Sequence, residues 1–348
     1  MSAEKSQSII DLKKILNFED PTEIQRLNIE LETNGWSFVF LPTELIPNSK
    51  LIDELSNFFQ SNDSSKRYYS QFKEIYGYSA IHHKEGIKLL TGSYFGEFAY
   101  EGLVPRTLIK PLNYISQAFD AVTKRLIEIL VRHSVFQPIS SLSSLTKHAD
   151  LPLDEEHFGM LDIVSYFNKK SGFQPPENGK TTDEVNCIPH YDPGLLSISI
   201  LSTHEGLQLK NMTTNEWIDG PLQSDIGVIW LGEAASRITG NRLKPGIHRV
   251  IYPQKSKTRL TIWYELCTVE QLKSVSEESK DDIIANGTFT FENFPGSDPI
   301  TIKPGEKRLD FLRRIEMGQG VSMSKIGPHY HQLENHNISY PKCSSNLE

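Results

Sequence analysis

Residues 190–209 read HYDPGLLSISILSTHEGLQL, and the fold turns on this stretch. Side chains two apart in an extended chain share a face, so His190 and Asp192 project together. One imidazole and one carboxylate on a face supply two legs of a 2-His-1-carboxylate triad, which leaves positions open on a metal. The third leg has to be a histidine from another strand. His248, at the head of HRVIYP (248–253), is the candidate. LLSISIL (195–201) and GLQL (206–209) follow as short β-type runs with turn residues between them.

The same texture extends outward. DIVSYF (162–167) precedes the stretch; IGVIWL (226–231), HRVIYP and RLTIWYEL (259–266) come after it, with helix expected only around 232–238. Short strands in series predict a sandwich, barrel or jelly roll. Further upstream the chain reads as mainly helical. Asp20-Pro21-Thr22-Glu23 predicts a helix start, with Asp20 as N-cap, Pro21 at the first position and Glu23 closing a capping box. Asn34-Gly35 stops that helix, WSFVFL (36–41) is one early strand, and residues 51–60 form a short helix. Leu112, Ile115, Phe119, Val122, Leu126 and Ile129 recur at helical steps, predicting a long helix over 111–134 packed on a sheet. Residues 135–157 are Ser-rich and loop-like. A last helix is expected at 305–317, ended by Gly318, before an irregular tail. The expectation is one catalytic α+β domain over 1–348: a mainly helical part (1–157), a β core (158–304), a C-terminal helical segment (305–328) and a tail (329–348).

A lone His-x-Asp is weak evidence among 11 histidines. His148-Ala149-Asp150, His83-Lys84-Glu85 and His329-Tyr330-His331 show ligand-like spacings in loop-like sequence, where a solvated histidine is the simpler reading. The company of His190 is different. Eleven residues after His248 comes Arg259-Leu260-Thr261, again a same-face pair in a strand. A guanidinium fork holds a carboxylate bidentately, and a nearby hydroxyl adds a bond. Three environments remain open for this arginine at this point: an anionic ligand, a core Asp or Glu, or solvent.

The formal charge of −8 argues against nucleic acid as a partner, since phosphate contacts need a basic surface. Cys187, Cys267 and Cys343 are too few and scattered for a disulfide framework and fit a reducing compartment. The opening MSAEKSQSIIDLKK lacks the apolar core of a secretory signal, and no run approaches a membrane span. A cytoplasmic monomer without membrane contact is expected, with the sequons at Asn286 and Asn337 idle.

The sequence resembles the isopenicillin N synthase-like branch of the 2-oxoglutarate/Fe(II)-dependent dioxygenases. Residues 190–209 resemble that family's HxDxGxLTLL block and its GLQ strand; residues 226–250 resemble its block ending in HRV; Arg259-Leu260-Thr261 stands at its RxS. NGWSFVFLP (34–42) and Tyr76-Gly77-Tyr78 agree more loosely. The resemblance implies a double-stranded β-helix (jelly-roll) core flanked by N-terminal helices, one long packing helix and a C-terminal helix. It implies Fe(II) on His190, Asp192 and His248, and 2-oxoglutarate on Arg259 and Thr261 with Ser165 and Tyr166 beside it. Two departures stand out. Thr261 replaces the usual serine, and Ser165-Tyr166-Phe167-Asn168 stands where relatives have Asn-Tyr-Tyr-Pro, so that Phe167 brings no hydroxyl to the cosubstrate. The resemblance further implies that with O2 these groups hydroxylate, desaturate or cyclise a small molecule, secondary-metabolite or amino-acid-derived, releasing succinate and CO2. Lys88, Tyr94 and Phe95, in a loop over 84–100, are candidate substrate contacts on the same ground. The rival expectations are an iron oxidase of this fold without 2-oxoglutarate, a non-catalytic jelly-roll binding protein, and a zinc hydrolase.

Overall fold

The computed structural model describes residues 9–71, 76–81, 84–91, 100, 102–136, 158–167, 185–192, 194–239, 242–251, 258–267, 290–291 and 300–301. The expected helix at 305–317, the tail, most of 135–157 and the histidines at 83, 148, 329 and 331 lie outside the described residues.

After β1 (Ile10–Asp11) and α1 (Leu12–Phe18) comes α2 (Pro21–Thr33). It starts as its sequence dictates: the Asp20 carboxylate accepts from the amides of Thr22 and Glu23, and Pro21 needs no donor there. The capping box does not close. The Asp20 amide already points at the Lys14 carbonyl, closing α1, so Glu23 turns instead to the Asp11 amide at 3.0 Å and to Arg26 at 2.6 Å. Gly35 ends the turn at φ 74, where a Cβ would stand 2.4 Å from the Lys244 carbonyl oxygen. Next come β2 (Trp36–Phe40), α3 (Ser49–Gln60) and α4 (Asp63–Arg67). Then β3 (Ser70–Gln71), β4 (Tyr76–Ile81) and β5 (Lys84–Thr91) form antiparallel pairs. This corrects the sequence expectation of helix and loop for the region. Its strand pattern is masked because Lys84 and Lys88 occupy one face while Ile87 and Leu89 pack into the core on the other.

The long helix α5 (Arg106–Arg132) begins about a turn earlier than expected and carries Pro111, which has no N–H to give. All six residues of its predicted apolar face are buried. Downstream lie β6 (Phe158–Phe167), β7 (Val185–His190), β8 (Leu196–Ser202), β9 (Leu207–Lys210) and β10 (Trp217–Asp219). They are followed by β11 (Ile226–Leu231), α6 (Glu233–Ile238), β12 (His248–Ile251) and β13 (Thr258–Cys267). A short ladder pairs β14 (Thr290–Phe291) with β15 (Ile300–Thr301).

The strands form a nine-stranded sheet, ordered β1-β2-β11-β8-β13-β6-β5-β4-β3, and a four-stranded sheet, β10-β9-β12-β7. Strands 6–13 pass back and forth between the two sheets, with the β9–β10 hairpin wholly in the smaller one, and this is the jelly roll. The outer face of the large sheet carries Leu260, Ile262, Tyr264 and Leu266, buried against α5, with Tyr264 stacked on Phe119 at 5.0 Å. The Tyr264 hydroxyl donates to the Asp120 carboxylate, which Thr91 also reaches at 3.0 Å. The inner face carries the alternate residues, Arg259, Thr261, Trp263 and Glu265. Between Ile262 and Trp263 the pairing with β8 shifts by one, so β8 holds an extra residue there. Trp36, Leu207, Leu209, Val228 and Trp230 fill the space between the two sheets. Among the described residues no helix is long and apolar enough to cross a membrane.

Candidate metal centre

His190 is the last residue of β7, directly opposite His248 at the head of β12. Asp192 lies two residues on, in the turn after the strand rather than in it. The three side chains are buried, and one ligand atom from each falls within 4.8 Å of the others. Asp192 Oδ1 is 3.8 Å from His190 Nε2 and 3.7 Å from His248 Nε2.

Everything else on these side chains is tied off. Asp192 Oδ2 accepts from Ser197 Oγ at 2.8 Å and from Trp230 Nε1 at 2.5 Å. His248 Nδ1 lies 3.1 Å from the Gly246 carbonyl; it must donate there, which leaves the Nε2 lone pair for a metal. His190 Nδ1 contacts Cys187 Sγ at 3.8 Å. The turn itself is pinned where Gly194 N donates to Glu265 Oε1 at 2.7 Å. A Cβ on Gly194 would sit 2.4 Å from that oxygen, so the approach needs glycine. Two imidazoles and a carboxylate oxygen, converging with their other atoms occupied, suit a borderline divalent ion such as Fe(II).

Along the inner face of β13, Arg259 is 1% exposed. Its Nε donates to Ser202 Oγ at 2.8 Å, its guanidinium carbon lies 5.3 Å from the Tyr166 ring centre, and Nη1 has no hydrogen-bond partner. Burial pulls its pKa down to about 10. No carboxylate among the described residues pairs with it, and it does not face solvent. Of the three environments left open by the sequence, an anionic ligand is the one that satisfies the orphaned donor. Thr261 shares the face, but its hydroxyl donates to the Leu201 carbonyl at 2.8 Å, and the Ser202 hydroxyl donates to that of His204 at 2.7 Å.

Ser165 does not sit at this site. Strand pairing places Tyr166 beside Arg259 and Val164 beside Thr261, so Ser165 and Phe167 fall on the opposite face with Leu260. There they line an outer cavity of about 390 Å³ together with Ser56, Phe59 and Glu85. Reading the segment by residue type alone puts the hydroxyl in the wrong frame, and Phe167 for the same reason removes nothing from the inner pocket. Tyr166 is the aromatic that stands beside Arg259.

Lys88 lies on the inner face of β5, with its ammonium 3.4 Å from Asp162 Oδ2. Tyr94 and Phe95 lie outside the described residues. Ser197, Trp230, Ser202, Glu265 and Lys84 are absent from the set that sequence reasoning picks out. Only Trp230, inside IGVIWL, carries a signal: an indole N–H in a buried strand needs an acceptor.

Residues 163–268 match the family model of the 2OG-Fe(II) oxygenase superfamily. The chain is 40% identical over 68 residues to the 2-oxoglutarate-dependent dioxygenase citB of Monascus ruber; the match covers 20% of this chain and 21% of that relative. It thus spans about a fifth of the relative's length. Among solved structures, dioxygenase for auxin oxidation 1 from Arabidopsis thaliana, with 2-oxoglutarate, superposes with a TM-score of 0.54. Identity there is 18%, over 75% of this chain and 92% of that one. The dioxygenase for auxin oxidation in rice gives 0.55 at 16% identity, over 90% of this chain and 96% of that one. At such identities the structures establish a shared fold.

Proposed function

We propose that this chain, carrying a 2OG-Fe(II) oxygenase match over its jelly roll, is a single-domain oxygenase that uses ferrous iron, 2-oxoglutarate and O2. It oxidises a C–H bond of a small molecule, secondary-metabolite or amino-acid-derived, and belongs to the isopenicillin N synthase-like branch. The observation that carries this is the convergence of Asp192 Oδ1 with two imidazole Nε2 atoms while Oδ2 and the His248 Nδ1 are occupied elsewhere. Such a set has no structural work to do without a cation.

His190, Asp192 and His248 would hold the iron. Arg259 would take the distal carboxylate of 2-oxoglutarate through its free Nη1, with Tyr166 flanking it. Thr261 contributes as an acceptor-side neighbour, since its proton is spent on Leu201. Iron, 2-oxoglutarate and O2 together supply an oxidant that removes a hydrogen atom from carbon, with succinate and CO2 as coproducts. The residues do the rest: Ser197 and Trp230 aim one Asp192 oxygen at the metal, Arg259 fixes the cosubstrate's orientation, and Trp36, Trp230 and Trp263 help exclude water. The orphaned Nη1 favours this reading over an iron oxidase that dispenses with 2-oxoglutarate. The charge of −8 counts against nucleic acid as the substrate, and the few, scattered cysteines fit a cytoplasmic setting.

The test is an anaerobic titration of metal-free protein with Fe(II) and then 2-oxoglutarate, following the visible charge-transfer band of the chelated 2-oxo acid. The expected result is a band lost in His190→Ala and requiring at least tenfold more cosubstrate in Arg259→Ala. Iron binding without a band would replace the proposal with the cosubstrate-free oxidase; no iron binding would leave a binding protein.

A further inference from the structure

Among the described residues, Lys84 is a buried cation with no carboxylate to neutralise it. It is 6% exposed, and the described contact of its ammonium is the Tyr166 ring, 5.8 Å away. Register places it on the inner face of the large sheet: Lys84 pairs with Tyr166, and Tyr166 with Arg259, so the three form one row across β5, β6 and β13. Beyond a row of Gly86, Val164 and Thr261, the following row on this wall holds Lys88, Asp162 and Trp263. Asp162 is the carboxylate of these two rows, and it pairs with Lys88. On this wall Asp162 answers Lys88, and Glu265, further along β13, takes the Gly194 amide, so among the described residues Lys84 and Arg259 are the cations without a carboxylate partner. A buried charge without a counter-charge is costly, so each of these two calls for an anion.

The proposed reaction supplies one of these anions. The distal carboxylate of 2-oxoglutarate answers Arg259, and the carboxylate at its keto-acid end belongs to the metal. Neither is left for Lys84. Tyr166 stands between Lys84 and Arg259 in the row, so the two cations address different neighbours. Burial lowers the Lys84 pKa, opposed mainly by Cys187 and Asp162; an anion against it would restore the charged form.

We propose that Lys84 receives a carboxylate of the molecule being oxidised, so that the substrate class is a small organic acid. Lys88, held by Asp162, adds positive potential to the same wall. This rests on the oxygenase reading above. It assigns a role to β5, which lies outside the matched region.

The test uses full-length protein loaded anaerobically with Fe(II) and 2-oxoglutarate. Benzoate, phenylacetate and octanoate are each titrated against their primary amides, following the charge-transfer band and the melting temperature. The acids should perturb both, with at least a tenfold preference over the amides. Lys84→Met should abolish the preference, Lys84→Arg should keep it, and the 2-oxoglutarate titration should be unchanged in both. Lys84→Met should also melt higher than wild type when no ligand is present, because it removes an uncompensated buried charge; a merely structural lysine would give the opposite. Equal responses to acids and amides, a preference that survives Lys84→Met, or a raised 2-oxoglutarate requirement in that variant would each overturn the assignment. Loss of the band in wild type would instead overturn the oxygenase reading itself, which keeps the two failures apart.

Discussion

Removing the Ser197 hydroxyl probes how the carboxylate leg of the metal site is aimed. Asp192 Oδ2 accepts two hydrogen bonds, from Ser197 at 2.8 Å and Trp230 at 2.5 Å, while Oδ1 faces both histidines. In Ser197→Ala one donor to a buried carboxylate disappears at the cost of a single oxygen atom. A hydrogen bond to a charged group contributes about 1.5–3 kcal/mol. At about 1.4 kcal/mol per factor of ten, this bounds the change in Fe(II) affinity at roughly 10–100-fold. Part of the loss falls on the metal-free fold, because the bond exists there too, so the lower half of the range is expected. The assay is anaerobic competition for Fe(II) against a chromophoric chelator, with the melting temperature of metal-free protein in parallel. Trp230→Phe keeps the ring that lies 4.7 Å from His248 and removes the other donor, so it should match Ser197→Ala in kind. The double variant should lose more than the sum, since either remaining donor can still aim the carboxylate. An affinity within threefold of wild type in Ser197→Ala, with an unchanged melt, would refute the reasoning.

Two further predictions concern the fold. Burial raises the Asp120 pKa above its ordinary 3.8, against hydrogen bonds from Tyr264 and Thr91 that lower it. A raised folded pKa contributes stability that is complete below about 3.8 and is lost as pH rises toward the folded value. Melting curves of Asp120→Asn against wild type across that window should show the variant gaining relative stability as pH rises, and parallel curves would count against it. Gly35→Ala combines φ 74 with a Cβ 2.4 Å from Lys244 O, and should cost at least about 1–3 kcal/mol in denaturant unfolding; a neutral effect would show that this turn rearranges freely.

What is legible in the sequence is legible through periodicity. His190 and Asp192 stand out because the spacing of two survives even though the strand stops at His190. The α5 face stands out because the helix repeats its apolar positions for 27 residues. Glu23 misleads because the Asp20 amide is taken by Lys14, a contact between two helices that no local motif encodes. β5 escapes notice because its inward face is cationic, so the alternation has the form of an exposed loop with occasional apolar residues. Ser165 has a residue type without a frame, and only the pairing with β13 fixes which face it takes.

The extra residue in β8 has a consequence for how such a chain can change by insertion and deletion. Ser197 and Ser202 are five positions apart, an odd number that would send them to opposite faces of a regular strand. The register shift opposite Ile262 and Trp263 restores the phase, so that Ser197 reaches Asp192 and Ser202 reaches Arg259. A one-codon deletion at Ile200 would remove the extra residue and leave the two serines four apart, so a regular strand would keep both contacts; adding a second residue to the strand, or taking one from it once it is regular, would put the metal end and the anion end out of phase. Lineages carrying this arrangement are therefore expected to hold β8 at one of two lengths, bulged or one residue shorter and regular, with other gains and losses of residues confined to the connections on either side.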